Sequence, residues 1–157
     1  MEAHPQDTEA IRRLFQKHMP EVASGVVELR NIAREAGVLS VVVVYSAEGA
    51  VRDTVGACIG PRGSRVGEVV KELGSEHVQI ARWSDSVEGL IENLVAPNRL
   101  IRVSFDNATR QATVTLRPHS APLPAEAAEP EPVQAARLRL ASQLVGWDLK
   151  LESPNDG

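Results

Sequence analysis

The sequence predicts an α+β fold in two similar halves, each a three-stranded sheet with helices packed on one face. Three observations point to it. Two helical stretches each end on a glycine and lead into a strand-like segment: Glu68-Val-Val-Lys-Glu-Leu-Gly74 before His77–Trp83, and Ala141-Ser-Gln-Leu-Val-Gly146 before Trp147–Leu151. The run Leu39-Ser-Val-Val-Val-Val-Tyr45 is too β-branched for a comfortable helix and reads as a strand buried on both faces. Between two helical stretches of the first half lies a glycine-bracketed turn, Gly60-Pro61-Arg62-Gly63.

Taken in order, Asp7 or Thr8 caps a helix through Lys17 that sets Ile11, Leu14, Phe15 and His18 on one face, with Pro20 just past its end. Val26–Arg34 alternates well enough for a strand, and Glu35-Ala36-Gly37 turns it into the valine strand. A short helix over Val51–Ile59 and the glycine turn follow. The next helix carries Val66, Val69, Val70 and Leu73 at helical spacing, with Gly74 as its C-cap. The order then repeats. Asp85 and Glu88 have capping-box spacing at the head of a helix whose inner face is Leu90, Ile91, Leu94 and Val95. Leu100–Phe105 and Ala112–Leu116 form a hairpin, Gln134–Val145 a helix capped by Gly146, and Trp147–Leu151 a closing strand.

The expected organisation is an N-terminal helix over 1–22, a first domain over 23–84, a second over 85–152 and a tail over 153–157. An acidic proline-rich insertion at 118–132 interrupts the second domain; it holds half of the chain's ten prolines and three glutamates, a composition that favours extended backbone and repels phosphate.

Of the 157 residues 43% are apolar but only 3% aromatic, so the core rests on Val, Leu, Ile and Ala. The net charge is −4, with ten basic and eleven acidic residues through Trp83 and seven and ten after it. That balance excludes a surface covered in phosphate-binding charge and makes any nucleic-acid contact local. A lone cysteine, Cys58, rules out an internal disulfide framework and fits a reducing compartment. The polar, acidic first residues do not resemble a secretory signal, and no apolar run nears the ~20 residues that span a bilayer. A cytoplasmic protein with no membrane partner is expected.

The glycine turn has a definite chemical use. Without Cβ atoms, a nucleic-acid backbone approaches the protein backbone closely. The following helix begins with unpaired N–H groups and a partial positive charge, which favours a phosphate. Arg62 adds a mobile full charge, Arg65 and Lys71 extend it, and Ile59 and Val66 can floor a groove for unpaired bases. This is the device by which KH domains clamp about four nucleotides of single-stranded RNA. The bland alternative is a common surface turn, since two glycines and a proline often make one.

Longer stretches sharpen the reading. Leu14-Phe-Gln-Lys-His-Met-Pro-Glu-Val-Ala-Ser-Gly-Val-Val-Glu-Leu-Arg-Asn-Ile-Ala-Arg-Glu-Ala-Gly37, Val55-Gly-Ala-Cys-Ile-Gly-Pro-Arg-Gly-Ser-Arg65, Ala81-Arg-Trp-Ser84 and Leu140-Ala-Ser-Gln-Leu-Val-Gly-Trp147 together resemble the tandem KH region of the NusA transcription-factor family. The resemblance runs from about Leu14 to Leu151. It implies two type-II KH domains that engage single-stranded RNA near RNA polymerase in transcription termination and antitermination, with no cofactor and no small-molecule substrate. Carried over by motif, Gly60, Pro61, Arg62 and Gly63 are the backbone-gripping turn, and Ser64 and Arg65 stand at the mouth of the next helix. The second half departs from the pattern: the proline tract stands where a second glycine-bracketed basic turn is expected, which implies a degenerate partner domain. The chain also resembles a short form, without the polymerase-binding and OB-fold domains of bacterial members.

Other chemistry finds little support. No catalytic constellation, P-loop or dinucleotide fingerprint is present, and the four histidines lack ligand spacing. Cys58 reads as a packed thiol, Trp83 and Trp147 as packing residues, and Arg30 and Arg34 either as RNA contacts or as a solvated face. The rival reading from another class is a KH scaffold that has lost RNA and docks on RNA polymerase or the ribosome.

Overall fold

The structure is a computed structural model that describes residues 8–74, 76–95, 98–117 and 130–152. Asp7 as a cap, the insertion up to 129 and the tail at 153–157 lie outside the described residues. The chain divides into two compact units, Met1–Trp83 and Ser84–Gly157.

The first unit runs α1 (Thr8–His18), α2 (Pro20–Ala23), β1 (Glu28–Glu35), β2 (Leu39–Tyr45), α3 (Thr54–Ile59), α4 (Ser64–Leu73) and β3 (His77–Arg82). Its sheet has the order β1-β2-β3. The tight turn at Gly37 makes β1 antiparallel to β2, whereas the α3–α4 crossover brings β3 back parallel to it. This is the type-II KH arrangement. Pro20 does more than follow α1: its fixed φ and missing N–H suit a first helical position, and it opens the one-turn α2. The third helix is shorter than its sequence pattern predicts, starting at Thr54 because Asp53 caps it rather than at Val51.

The N-terminal helix is part of this unit's core. Ile11 and Phe15 are fully buried with Met19, Val22, Val27, Leu29, Val42, Val44, Cys58 and Val69. Each such side chain stabilises the fold by about 1.5–3 kcal/mol, so α1 cannot be shed without loss. Val41 and Val43, on the opposite face of β2, are also fully buried, and the strand is therefore covered on both sides. One charge is buried too. The Glu76 carboxylate receives two hydrogen bonds from Arg34, at 2.9 Å each, one from the Gly37 amide at 2.9 Å and one from the Ser40 hydroxyl. This network ties the β1–β2 turn to the start of β3.

The second unit runs α5 (Val87–Val95), β4 (Arg99–Asp106), β5 (Gln111–Arg117), α6 (Glu131–Val145) and β6 (Asp148–Glu152). Its sheet repeats the first, with order β4-β5-β6, one antiparallel and one parallel pairing. The cap of α5 differs from the expected Asp85–Glu88 box. Ser86 takes that place, its hydroxyl accepting the Gly89 N–H at 3.0 Å. Helix α6 starts three residues before the expected Gln134 and carries Pro132 in its first turn, a position that tolerates a missing N–H.

Candidate nucleic-acid interface

The turn is built from both sides. Asp53 Oδ1 accepts the Gly56 N–H at 3.0 Å and starts α3, which lasts six residues. Gly60 ends it with φ 79° and ψ 168°, a conformation almost confined to glycine. The Gly63 N–H then donates to the Gly60 carbonyl at 3.0 Å and the Ser64 N–H to that of Pro61, so two tight turns overlap. Both require left-handed backbone. Gly63 adopts it freely at φ 74°, ψ 18°, but Arg62 adopts it at φ 57°, ψ 27°, at a strain of about 1–2 kcal/mol for an L residue. Helix α4 follows with no side-chain cap on its first amides.

The two glycines face different surroundings. A Cβ on Gly60 would lie 2.6 Å from Arg65 Cγ and 2.9 Å from the Arg65 backbone nitrogen, whereas one on Gly63 would meet nothing within 4 Å. Gly60 is thus glycine because the protein needs it closed, and Gly63 leaves open space beside the turn. Pro61, Arg62 and Ser64 are exposed, Ile59 is exposed, and Val66 is half-buried. Arg62 has no hydrogen-bond or ion-pair partner among the described residues.

Arg65 behaves differently from the expectation of a charge at the helix mouth. Its Nη1 donates to Glu21 Oε1 and to the Ala57 carbonyl, both at 2.7 Å. The guanidinium therefore braces α2 and α3 from behind the turn instead of standing free. Glu21 was not among the sequence-derived site residues; nothing local marks it, because its partner lies 44 residues away. Beneath the turn, Cys58 is buried, and its thiol is pushed up to about 11, by burial first and the Glu21 charge second, against the pull of Arg65. No thiolate chemistry follows from that environment.

The arginines of β1 are also engaged. Arg34 is held by Glu76, and the Arg30 guanidinium lies 4.0 Å from the Tyr45 ring centroid and 4.4 Å from that of Trp83, while it pairs with Glu28. Tyr45 and Trp83 meet edge to face at 5.8 Å. Arg34 is thus no solvated charge, whereas Arg30 stays exposed and lies over the two rings. In the second unit, Trp147 packs on Phe105 at 4.8 Å and under the Arg110 guanidinium at 4.1 Å.

Among the described residues the second unit has no counterpart of the turn. Gly60 precedes the cap Gly74 by 14 residues, and the residue 14 before the cap Gly146 is Pro132. The matching tetrapeptide, Pro132-Val133-Gln134-Ala135, lies inside α6, with Val133 buried in the core. Among the described residues no group of three or more His, Cys, Asp or Glu side chains could hold a metal ion, and no helix is long and apolar enough to cross a membrane.

Comparison with known proteins agrees with this architecture. The family model for the NusA-like first KH domain matches residues 5–83. The chain is 34% identical over 93% of its length to the transcription termination/antitermination protein NusA of Halalkalibacterium halodurans, 32% over 93% to that of Bacillus subtilis and 35% over 90% to that of Thermus thermophilus. It spans 36%, 38% and 35% of those relatives, little more than a third of each. The crystal structure of APE1850 superposes with a TM-score of 0.56 at 16% identity, covering 90% of this chain and 93% of that one, a likeness of fold alone. With an α-α-β-β-α-α-β first unit, a glycine turn between its paired helices and this family match over that unit, the chain belongs to the NusA-like KH family.

Proposed function

We propose that the chain binds single-stranded RNA through the turn Gly60-Pro61-Arg62-Gly63, as a factor in transcription termination or antitermination. The carrying observation is Arg62: a cation with no partner among the described residues, held in strained left-handed backbone beside a glycine that opens onto free space. Strain of this kind persists only where the surrounding structure over-determines it, and it clusters at ligand clamps. The chemistry follows from the parts. A phosphate approaches Gly63 unhindered, meets the first amides of α4, which no side chain caps, and is neutralised by Arg62. Bases lie over Ile59 and Val66. Arg65 contributes by fixing the turn. The likeness to the NusA proteins supports RNA as the ligand and RNA polymerase as the neighbouring machinery, and nothing in the reading requires a catalytic step.

Fluorescence anisotropy with a short unstructured RNA tests this. A Pro61→Asp, Arg62→Asp double variant that keeps its circular-dichroism spectrum is expected to lose binding that the parent has. Equal binding by both removes the turn from the mechanism. No binding by the parent favours the rival, a protein-docking KH scaffold.

A further inference from the structure

We propose a second RNA-binding surface in this chain, formed by Arg99, Arg102 and Arg117 on the open face of the β4–β5 hairpin, which takes the sugar–phosphate backbone of single-stranded RNA. The register places these side chains together. Arg99 pairs directly with Arg117 and Arg102 with Thr115, and the irregularity between Leu100 and Arg102 absorbs one extra residue, Ile101. That bulge keeps Arg99 and Arg102 on one face of β4. The opposite face carries Ala112, Val114 and Leu116, all buried in the core; on the arginines' own face Thr115 is buried between Arg102 and Glu152, and the arginines themselves reach solvent.

All three are exposed, and none has a hydrogen-bond or ion-pair partner among the described residues. Like charges directly opposite across an antiparallel pair destabilise it. Arg99 facing Arg117 is thus unfavourable in the free protein and becomes favourable once an anion lies between them. Glu152, across Thr115 on β6, bounds the patch. Seven basic residues stand against ten acidic ones after Trp83, so gathering three arginines at one site is not a by-product of a basic surface. Planar guanidinium forks suit phosphate oxygens better than ammonium groups do. The choice of RNA as the occupant rests on the reading of the first unit's turn. A strand held there is tethered to the second unit and meets the patch at high effective concentration. The unit without a glycine turn would then contribute through its sheet.

Salt-dependent anisotropy on the full chain tests this with two RNAs, one of about four nucleotides that fills only the turn and one several times longer. An Arg99→Gln, Arg102→Gln, Arg117→Gln variant is expected to bind the short RNA like the parent. On the long one its salt slope should fall by about 2, from three lost contacts at ~0.7 each, with roughly tenfold weaker affinity at low salt. Its melting temperature should hold or rise as the repulsion is relieved. Unchanged slope and affinity on the long RNA overturn the proposal. So does parent-like RNA binding with a lower melting temperature, which would make the arginines part of the fold. The Pro61→Asp, Arg62→Asp variant separates the two ideas: if it still binds the short RNA, the turn reading fails whatever the patch variant does.

Discussion

Substituting alanine for each glycine of the turn in separate variants should divide folding from binding. At Gly60 the backbone sits at φ 79°, ψ 168°, and the added methyl would be 2.9 Å from a backbone nitrogen, a contact no rotamer change relieves. Strain of about 1–3 kcal/mol for that backbone region adds to an overpacking cost of about 1–3 kcal/mol. Together they approach about 4 kcal/mol. At Gly63 the methyl enters open space, and only the left-handed backbone is penalised, by about 1 kcal/mol. In a unit this size one kcal/mol moves the melting temperature by about 4–8 °C. Gly63→Ala should therefore melt about 5 °C below the parent, and Gly60→Ala about 15 °C or more below it. Binding reverses in emphasis: Gly63→Ala, well folded at 15 °C, should lose RNA affinity by about tenfold, because its methyl stands where the ribose–phosphate approaches. Circular-dichroism melts and anisotropy at that temperature read both quantities. Equal stability losses refute the geometry of Gly60, and parent-like affinity in folded Gly63→Ala refutes the clamp.

Replacing Arg62 with glycine should raise the melting temperature, by relief of about 1 kcal/mol of left-handed strain, while weakening RNA binding; a drop in both would mean that Arg62 holds the fold. Glu21→Gln and Arg65→Lys should each weaken RNA binding without changing its salt slope, whereas Arg62→Gln should lower that slope by about 0.7; a slope that falls for Arg65→Lys makes it a phosphate ligand. Burial pushes the Glu76 carboxyl up, but hydrogen bonds from Arg34, Ser40 and the Gly37 amide outweigh it and hold the group below its ordinary 4.5. A depressed folded pKa contributes stability that is present above the unfolded value and is lost as pH falls. Melting temperature should thus be flat from pH 7 to about 5 and drop below about 4.5, and Glu76→Gln should cost about 3 kcal/mol at pH 7 and flatten that acid limb.

The legible parts of this molecule are those that local physics decides. Valine content sets β2, glycine sets the ends of α4 and α6, and the crossover between β2 and β3 follows from helical periodicity at Val66–Leu73. The turn was legible because glycine, proline and arginine each have a backbone or charge preference there. Partners distant in sequence were not. Arg65 looks like a free cation until Glu21 and the Ala57 carbonyl are brought to it, and Arg34 like a surface charge until Glu76 is brought to it. The three arginines of the β4–β5 hairpin needed the register, since without the bulge at Ile101 the spacing of Arg99 and Arg102 would put them on opposite faces.

Cys58 gives the molecule a clock of its own. It is the chain's lone thiol, 1% exposed and one residue short of the helix end that leads into Gly60. A maleimide or disulfide reagent reaches it only when α3 lifts away, so the labelling rate counts openings of the helix on which the turn is mounted. RNA that grips the closed form slows that count by the factor 1 + [RNA]/Kd. Occupancy at the turn thereby becomes measurable in the unaltered protein, with no dye attached and no residue replaced.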